Sequence, residues 1–469
     1  MSVQVAPELD YSEKSVGGGS TYKFTKIFPN ETQSITGQAT GTTACTFELP
    51  DVGMNLSKSI LSFIWKQPEV NAKYLFLHSG CVPHIDNITL STKGGVVLAE
   101  IKQVGNFTRL VMPYTTPLKR FLNKSVNRSR VSAALCVNDQ GDTFHRSDVL
   151  KSTAPTADGV ASGFYVQADR TIAAGDLSYT GPCELMAEVK GDGANAGDGC
   201  IKVQLMLGEL IHTLFAVNKT LVFGQKLVVS IQLQQGAKVG FTGDALSGNN
   251  GAVNAVALVS NPVVTSILLY LATEQNAGVV SALRQKVAEG FNMPCPYVYM
   301  QKMPLILSAT NSVRWSLNRT QGQKLRRVYN GIFSSAGSES GIYSYLRSNN
   351  SAAVCTAIRS YFMSVARQDY SMSVTDGEPF MALKELIDGS TIQSATDYLH
   401  RFAWIDDWSG MKTADEGKED WDSGLELVQD SDYTIELAIT ANGALGVNLF
   451  QYAWVQKTLS IKDNQVLLL

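Results

Sequence analysis

The sequence predicts an all-β protein made of two tandem eight-stranded antiparallel jelly rolls, a double jelly roll with a short linking helix and long loops. Three observations predict it. The apolar segments are short, rich in Val, Ile, Thr and aromatics, and separated by Gly, Asn, Asp or Ser, as in antiparallel β proteins. One strongly helical segment interrupts them. The parts on either side of that helix repeat a common order of segments.

Composition fits such a chain. Its 469 residues, 44% of them hydrophobic, supply ample core, and a formal net charge of −3 excludes a global basic field for gripping nucleic acid. Charged residues make up only 17%, against roughly 25% in ordinary soluble domains, so the polar surface rests on Ser, Thr, Asn, Gln and Gly. That suits flanks covered by neighbouring subunits. No stretch reaches the roughly 20 apolar residues of a membrane helix. The start, MSVQVAPELDYSEK, has no basic segment followed by an apolar run, so passage through a secretory signal peptide is not expected. Seven scattered cysteines without a CxxC pattern read as reduced, packed thiols.

Residues 1–20, polar and ending in Gly17-Gly18-Gly19, read as a flexible arm, and residues 21–275 as the first roll. Strands are expected at Thr43–Leu49, Ile60–Trp65, Lys202–Leu207, Leu227–Leu233 and Ser266–Leu271. In Leu227–Leu233 the odd positions are apolar, the period-two pattern of a half-buried strand. A short helix is expected at Phe107–Met112, and about residues 137–199, rich in Gly, Asp, Ser and Thr, form loop excursions. The linking helix takes residues 276–291: Asn276 caps it, Val279, Val280, Leu283 and Val287 follow at helical spacing, and Gly290 ends it. Residues 292–469 form the second roll, with strands at Ser312–Leu317, Thr434–Ile439 and Val447–Trp454 and a short helix at Ala395–Phe402.

The repeat rests on matched side chains. At an offset of 268, Phe47 meets Trp315, Leu49 meets Leu317, Lys58 meets Arg326, Ile60 meets Val328, Ile64 meets Ile332 and Trp65 meets Phe333. Ile101…Phe107 and Ile392…Tyr398 share a spacing, and Leu227–Gly236 parallels Thr434–Gly443. Units this long, with a helix after an early strand, fit jelly rolls better than immunoglobulin sandwiches of about 100 residues.

Four segments carry a family resemblance: SVRWSLNRTQGQKLRRVYNGIFSS, NLFQYAWVQKTLSI, ELPDVGMNLSKSILSFIW and LFAVNKTLVFGQKLVVSIQL. In their order, from about residue 22 to the end, the chain resembles the double jelly-roll major capsid proteins of tailless icosahedral double-stranded DNA viruses, of the polinton-like virus, virophage and nucleo-cytoplasmic virus type. The resemblance implies a structural protein of the virion, a hexon-like homotrimer whose two rolls per chain give a pseudo-hexameric capsomer. Neighbouring capsomers, minor capsid or penton proteins and, without sequence specificity, packaged DNA are the implied partners. Assembly inside the host cell, without insertion into a membrane, is implied as well.

Enzymatic chemistry finds little support. No GxSxG, HExxH, Walker-type loop or strand-borne GxGxxG occurs, and the five histidines are dispersed. His78, Cys81 and His84 are spaced HxxCxxH, but on a strand offsets of three alternate faces, so packed or turn residues are expected there. The run GDGANAGDG, with Asp192, Asn195 and Asp198, lacks the closing Glu of a calcium loop and reads as a turn. No catalytic, cofactor or metal residue is therefore assigned.

Clustered charge remains. Asp415, Glu416, Glu419, Asp420, Asp422, Glu426, Asp430 and Asp432, around Trp421, read as a solvated loop. Lys119, Arg120, Lys124, Arg128 and Arg130 form a basic cluster able to face a genome or a minor protein, against the plainer reading of salt bridging or solvation. Lys324, Arg326 and Arg327 form a second, read the same way. Nine Asn-x-Ser/Thr sequons, among them Asn55, Asn106 and Asn218, read as a by-product of composition. A vertex or minor capsid protein, a carbohydrate-binding or receptor-binding β-sandwich and a cupin-like enzyme are the alternatives. The last would need a His-rich metal set that this chain does not show.

Overall fold

The structure is a computed structural model. It describes residues 20–31, 34–36, 44–66, 73–76, 85–115, 135–137, 143–145, 188–190, 200–233, 240–242, 256–257, 263–306, 309–317, 323–334, 353–363, 367–369, 403–408, 424–427, 432–441, 447–462 and 465–469.

Eight principal strands build the first roll: β1 (Tyr22–Ile27), β2 (Ala44–Leu49), β3 (Met54–Lys66), β4 (Ile85–Thr92), β5 (Val97–Lys102), β6 (Cys200–Met206), β7 (Leu227–Leu233) and β8 (Val263–Glu274). They form two antiparallel sheets, β1-β8-β3-β6 and β2-β7-β4-β5. Eight more build the second: β9 (Phe291–Leu305), β10 (Ala309–Ser316), β11 (Lys324–Ser334), β12 (Ala353–Met363), β13 (Arg367–Asp369), β14 (Ala403–Asp407), β15 (Asp432–Ala441) and β16 (Val447–Lys462). Their sheets are β9-β16-β11-β14 and β10-β15-β12-β13. Adding eight to each first-roll strand number reproduces the second roll's order, so one topology is used twice. This is the double jelly roll that the repeat predicts.

Alternation explains which faces are inside. β7 buries every odd residue, Leu227, Val229, Ile231 and Leu233, and β2 buries Cys45, Phe47 and Leu49. Opposite them Leu61, Leu205 and Leu269 lie in one cross-strand row of the other sheet, and the core fills the space between the sheets. Cys45 and Cys295 are free and buried, as packed thiols should be. Burial pushes both up to about 12.

The helix α1 (Val104–Thr115) extends the expected Phe107–Met112 in both directions and packs Phe107, Leu110 and Val111 into the core. The helix α2 (Ala277–Glu289) forms within the expected residues 276–291, with Asn276 and Gly290 as its caps. The Asn276 side chain accepts from the backbone N–H groups of Gly278 and Val279, at 3.0 and 3.4 Å, while Leu283 and Val287 are buried. Glu274 supports this start, its Oε1 accepting from the N–H groups of Thr21, Gln275 and Asn276 at 2.9, 3.0 and 3.0 Å. Gly290 closes the helix at φ 86°, and a Cβ there would lie 2.9 Å from Lys462 Cγ.

One anchor of the repeat is out of register. Val229 pairs with Phe47 and Tyr433 with Trp315, so Tyr433 is the equivalent of Val229. The parallel of Leu227–Gly236 with Thr434–Gly443 sets Val229 against Glu436 instead, an odd slip that swaps the faces of the strand. Ile101 lies in β5, whose counterpart is β13, while Ile392 and Tyr398 lie outside the described residues. The first roll's enlargement is also spread more widely than residues 137–199. The chain runs from Leu233 to Val263 between β7 and β8, but only from Ala441 to Val447 in the second roll. Lys73–Phe76, Glu188–Lys190, Gly240–Thr242 and Val256–Ala257, from three different connections, form an additional four-stranded sheet. The short helix expected at Ala395–Phe402 and all of the arm at residues 1–20 except Ser20 lie outside the described residues.

Candidate functional site: the seam between the two rolls

β11 and β16 lie in the middle of their sheet and are buried on both faces. On the inner face Val328 pairs with Ala453 and Leu325 with Val455, within the second roll's core. On the other face Arg327 pairs with Trp454 and Tyr329 with Tyr452, and this face meets the first roll.

Two segments of the first roll reach it. One is the run after β6, where 3-10 turns at Leu207–Glu209 and Leu214–Ala216 bracket His212. The His212 ring stacks on Trp454 with centroids 3.9 Å apart and planes 19° apart, and its Nε2 lies 2.8 Å from the Tyr329 hydroxyl. The other is the start of α1: Phe107 meets Tyr452 edge-on at 5.4 Å, and the Tyr452 hydroxyl donates to the carbonyls of Lys102 and Gln103, 3.3 Å from each. His212 at φ 60° and Gln103 at φ 51° are two of three non-glycine residues with positive φ among those described. Backbone strain is thus concentrated where the first roll touches the second.

The seam is strongly polar for a buried surface. Arg326 and Arg327 are each 1% exposed, with their guanidinium carbons 5.9 and 5.8 Å from the Trp454 ring centroid. This corrects the sequence reading, in which both belonged to a solvated or genome-facing cluster. The cause is local: the β11–β16 register shifts between Leu325 and Arg327, leaving Arg326 as the extra residue of a bulge, where it donates to Gln456 Oε1. Burial, and then the charge of Arg327, hold the His212 imidazole well below its ordinary range, so it is neutral at pH 7.

Behind the seam a polar chain crosses the second core. Gln451 Nε2 donates to Asn330 Oδ1 at 3.0 Å, Asn330 Nδ2 donates to the Tyr433 hydroxyl at 3.1 Å, and Tyr433 donates to Asp406. At the β9 edge Lys457 sits over the rings of Tyr297 and Tyr299, at 4.3 and 5.1 Å, and burial lowers its ammonium pKa. Burial, and then Glu100 of β5, push the Tyr297 phenol up.

The basic cluster Lys119, Arg120, Lys124, Arg128 and Arg130 lies outside the described residues, as do His78, Cys81, His84, Asp192, Asn195 and Asp198. Of the acidic run, Glu426 and Asp432 are described. Asp432 is buried at the start of β15 and paired with Arg314 rather than solvated. Two sequon asparagines bond to each other, Asn55 Nδ2 donating to Asn218 Oδ1 at 3.1 Å, and Asn55 and Asn106 are buried. Among the described residues no three His, Cys, Asp or Glu side chains are grouped to hold a metal ion. What the seam offers is a joint: stacked rings, buried cations and cross-roll hydrogen bonds.

No family model matches the sequence, and no curated protein sequence matches it. Solved structures do match over nearly the whole length. The Faustovirus major capsid protein aligns with a TM-score of 0.58 at 9% identity, covering 97% of this chain and 92% of its own. The PBCV-1 virus capsid aligns at 0.52 and 9%, covering 98% and 99%. The Sputnik virophage structure aligns at 0.50 and 11%, covering 100% and 92%. With the strand order repeated from roll to roll, the chain has the double jelly-roll fold of these virus-shell proteins.

Proposed function

We propose that this chain is a major capsid protein, a structural subunit that trimerises into pseudo-hexameric capsomers tiling an icosahedral viral shell. The observation that carries the proposal is the duplicated strand order together with a likeness to capsid proteins that spans both rolls. Three chains of two similar rolls present six similar outlines, so one product fills a hexagonal lattice. The low 17% charge supports lateral faces that are covered by contacts between subunits.

In this reading the protein acts through its surfaces and not by catalysis. It functions in the virion, after assembly in the host cell. Residues 21–275 and 292–469 serve as the two rolls, 276–291 as their linker and 1–20 as an arm between capsomers. Lys119, Arg120, Lys124, Arg128 and Arg130 face packaged DNA or a minor capsid protein. A vertex protein is disfavoured, because such a protein usually carries a single roll. Negative-stain microscopy of the purified protein tests the proposal. Hexagonal plates or shells are expected, and uniformly dispersed small particles across assembly conditions would count against it.

A further inference from the structure

His212 is the one ionisable first-roll side chain with a described contact to the Trp454 ring. The groups around it come from three elements. β11 supplies Arg327 and the Tyr329 hydroxyl, with Arg326 beside the same Trp454 ring, β16 supplies the uncharged Trp454, and its own segment carries the buried Glu209 three residues earlier in the sequence. Two buried guanidinium groups beside the ring on which it stacks make an added cation unwelcome, and a ring only 7% exposed is largely withdrawn from the water that would solvate that charge. The Arg327 strand position pairs with Asp407 of β14, and Asp406 accepts from Tyr433 on the core side.

We propose that His212 is a proton-operated latch between the two rolls: as the neutral ring it closes the seam, and on taking up a proton it leaves the stack and frees the segment around residues 207–216. The latch is a property of the single chain and stands whether or not the chain builds shells. If it does build them, every subunit carries an acid-responsive joint.

The direction follows from linkage. A histidine whose pKa is depressed in the closed state contributes stability that is fully present above the ordinary imidazole value of about 6.5 and is lost as pH falls below it. For one proton, seam opening then rises roughly tenfold per pH unit.

Hydrogen–deuterium exchange on the full chain, corrected for intrinsic exchange and followed from about pH 7.5 to about pH 5 across the ordinary imidazole value, tests this. Peptides covering residues 207–216 and 450–456 are expected to lose protection with that slope in the wild type. They should show a flat profile in His212→Asn, which tolerates positive φ but does not titrate. A flat wild-type profile, or an equal slope in the variant, overturns the latch. Should His212→Asn not fold, the same series on protein in which all five histidines are 2-fluorohistidine decides the matter. That ring has the shape of imidazole but stays neutral over this span, so an unchanged slope overturns the proposal and a flat one supports it.

Discussion

Trp454 serves three partners at once, the imidazole of His212 stacked on it at 3.9 Å and two guanidinium groups within 6 Å of its centroid, at 5.9 and 5.8 Å. Replacing it with Ala leaves an indole-sized void and strands two buried cations beside it, so Trp454→Ala should lower unfolding stability by about 3–5 kcal/mol, read as a shift in the urea midpoint. Trp454→Phe, which keeps an aromatic face, should cost clearly less. Equal losses would contradict this, because they would show that an aromatic face at this position contributes nothing. At this scale the sequence was least informative. Arg326 and Arg327 stand beside Lys324 in a run that reads as surface charge, and nothing local announces the bulge that buries them. His212 had one cue, its place in the apolar stretch LGELIHTLF, but a lone histidine in such a stretch does not name its partner. Trp454 lies more than two hundred positions away in the other roll.

At the scale of elements, α2 shows how far local signals reach. Asn276, the apolar spacing and Gly290 set both ends of the helix, because caps depend only on near neighbours. Gly290→Ala should be the costly change. It forces a side chain into φ 86° and against Lys462, for roughly 1–2 kcal/mol from backbone conformation alone, measured by thermal or urea unfolding. Gly278→Ala, inside the first turn, where the nearest atom to the new Cβ is Asn276 Oδ1 at 3.3 Å, should be tolerated far better. Strand identity was equally legible, since β7 and β2 alternate cleanly. Register between distant repeats was not. Similar residue types recur at both odd and even shifts, so Leu227–Gly236 was matched three positions out, and only the cross-strand pairs Phe47–Val229 and Trp315–Tyr433 restore the true frame. The extra sheet drawn from three connections has no sequence signature, because its strands are two to four residues long.

For the molecule as a whole, one topology used twice explains the length, the single linking helix and the sharing of buried surface between rolls. The second roll's β9-β16-β11-β14 sheet is covered on both sides because the first roll lies against it at His212 and Phe107. In the proposed function, the low charge that first marked the sequence belongs to faces covered by neighbouring subunits. Light scattering of the purified protein measures this most directly. The account predicts a stable particle of about three times 50.8 kDa, and a persistent monomer at micromolar concentration would contradict it.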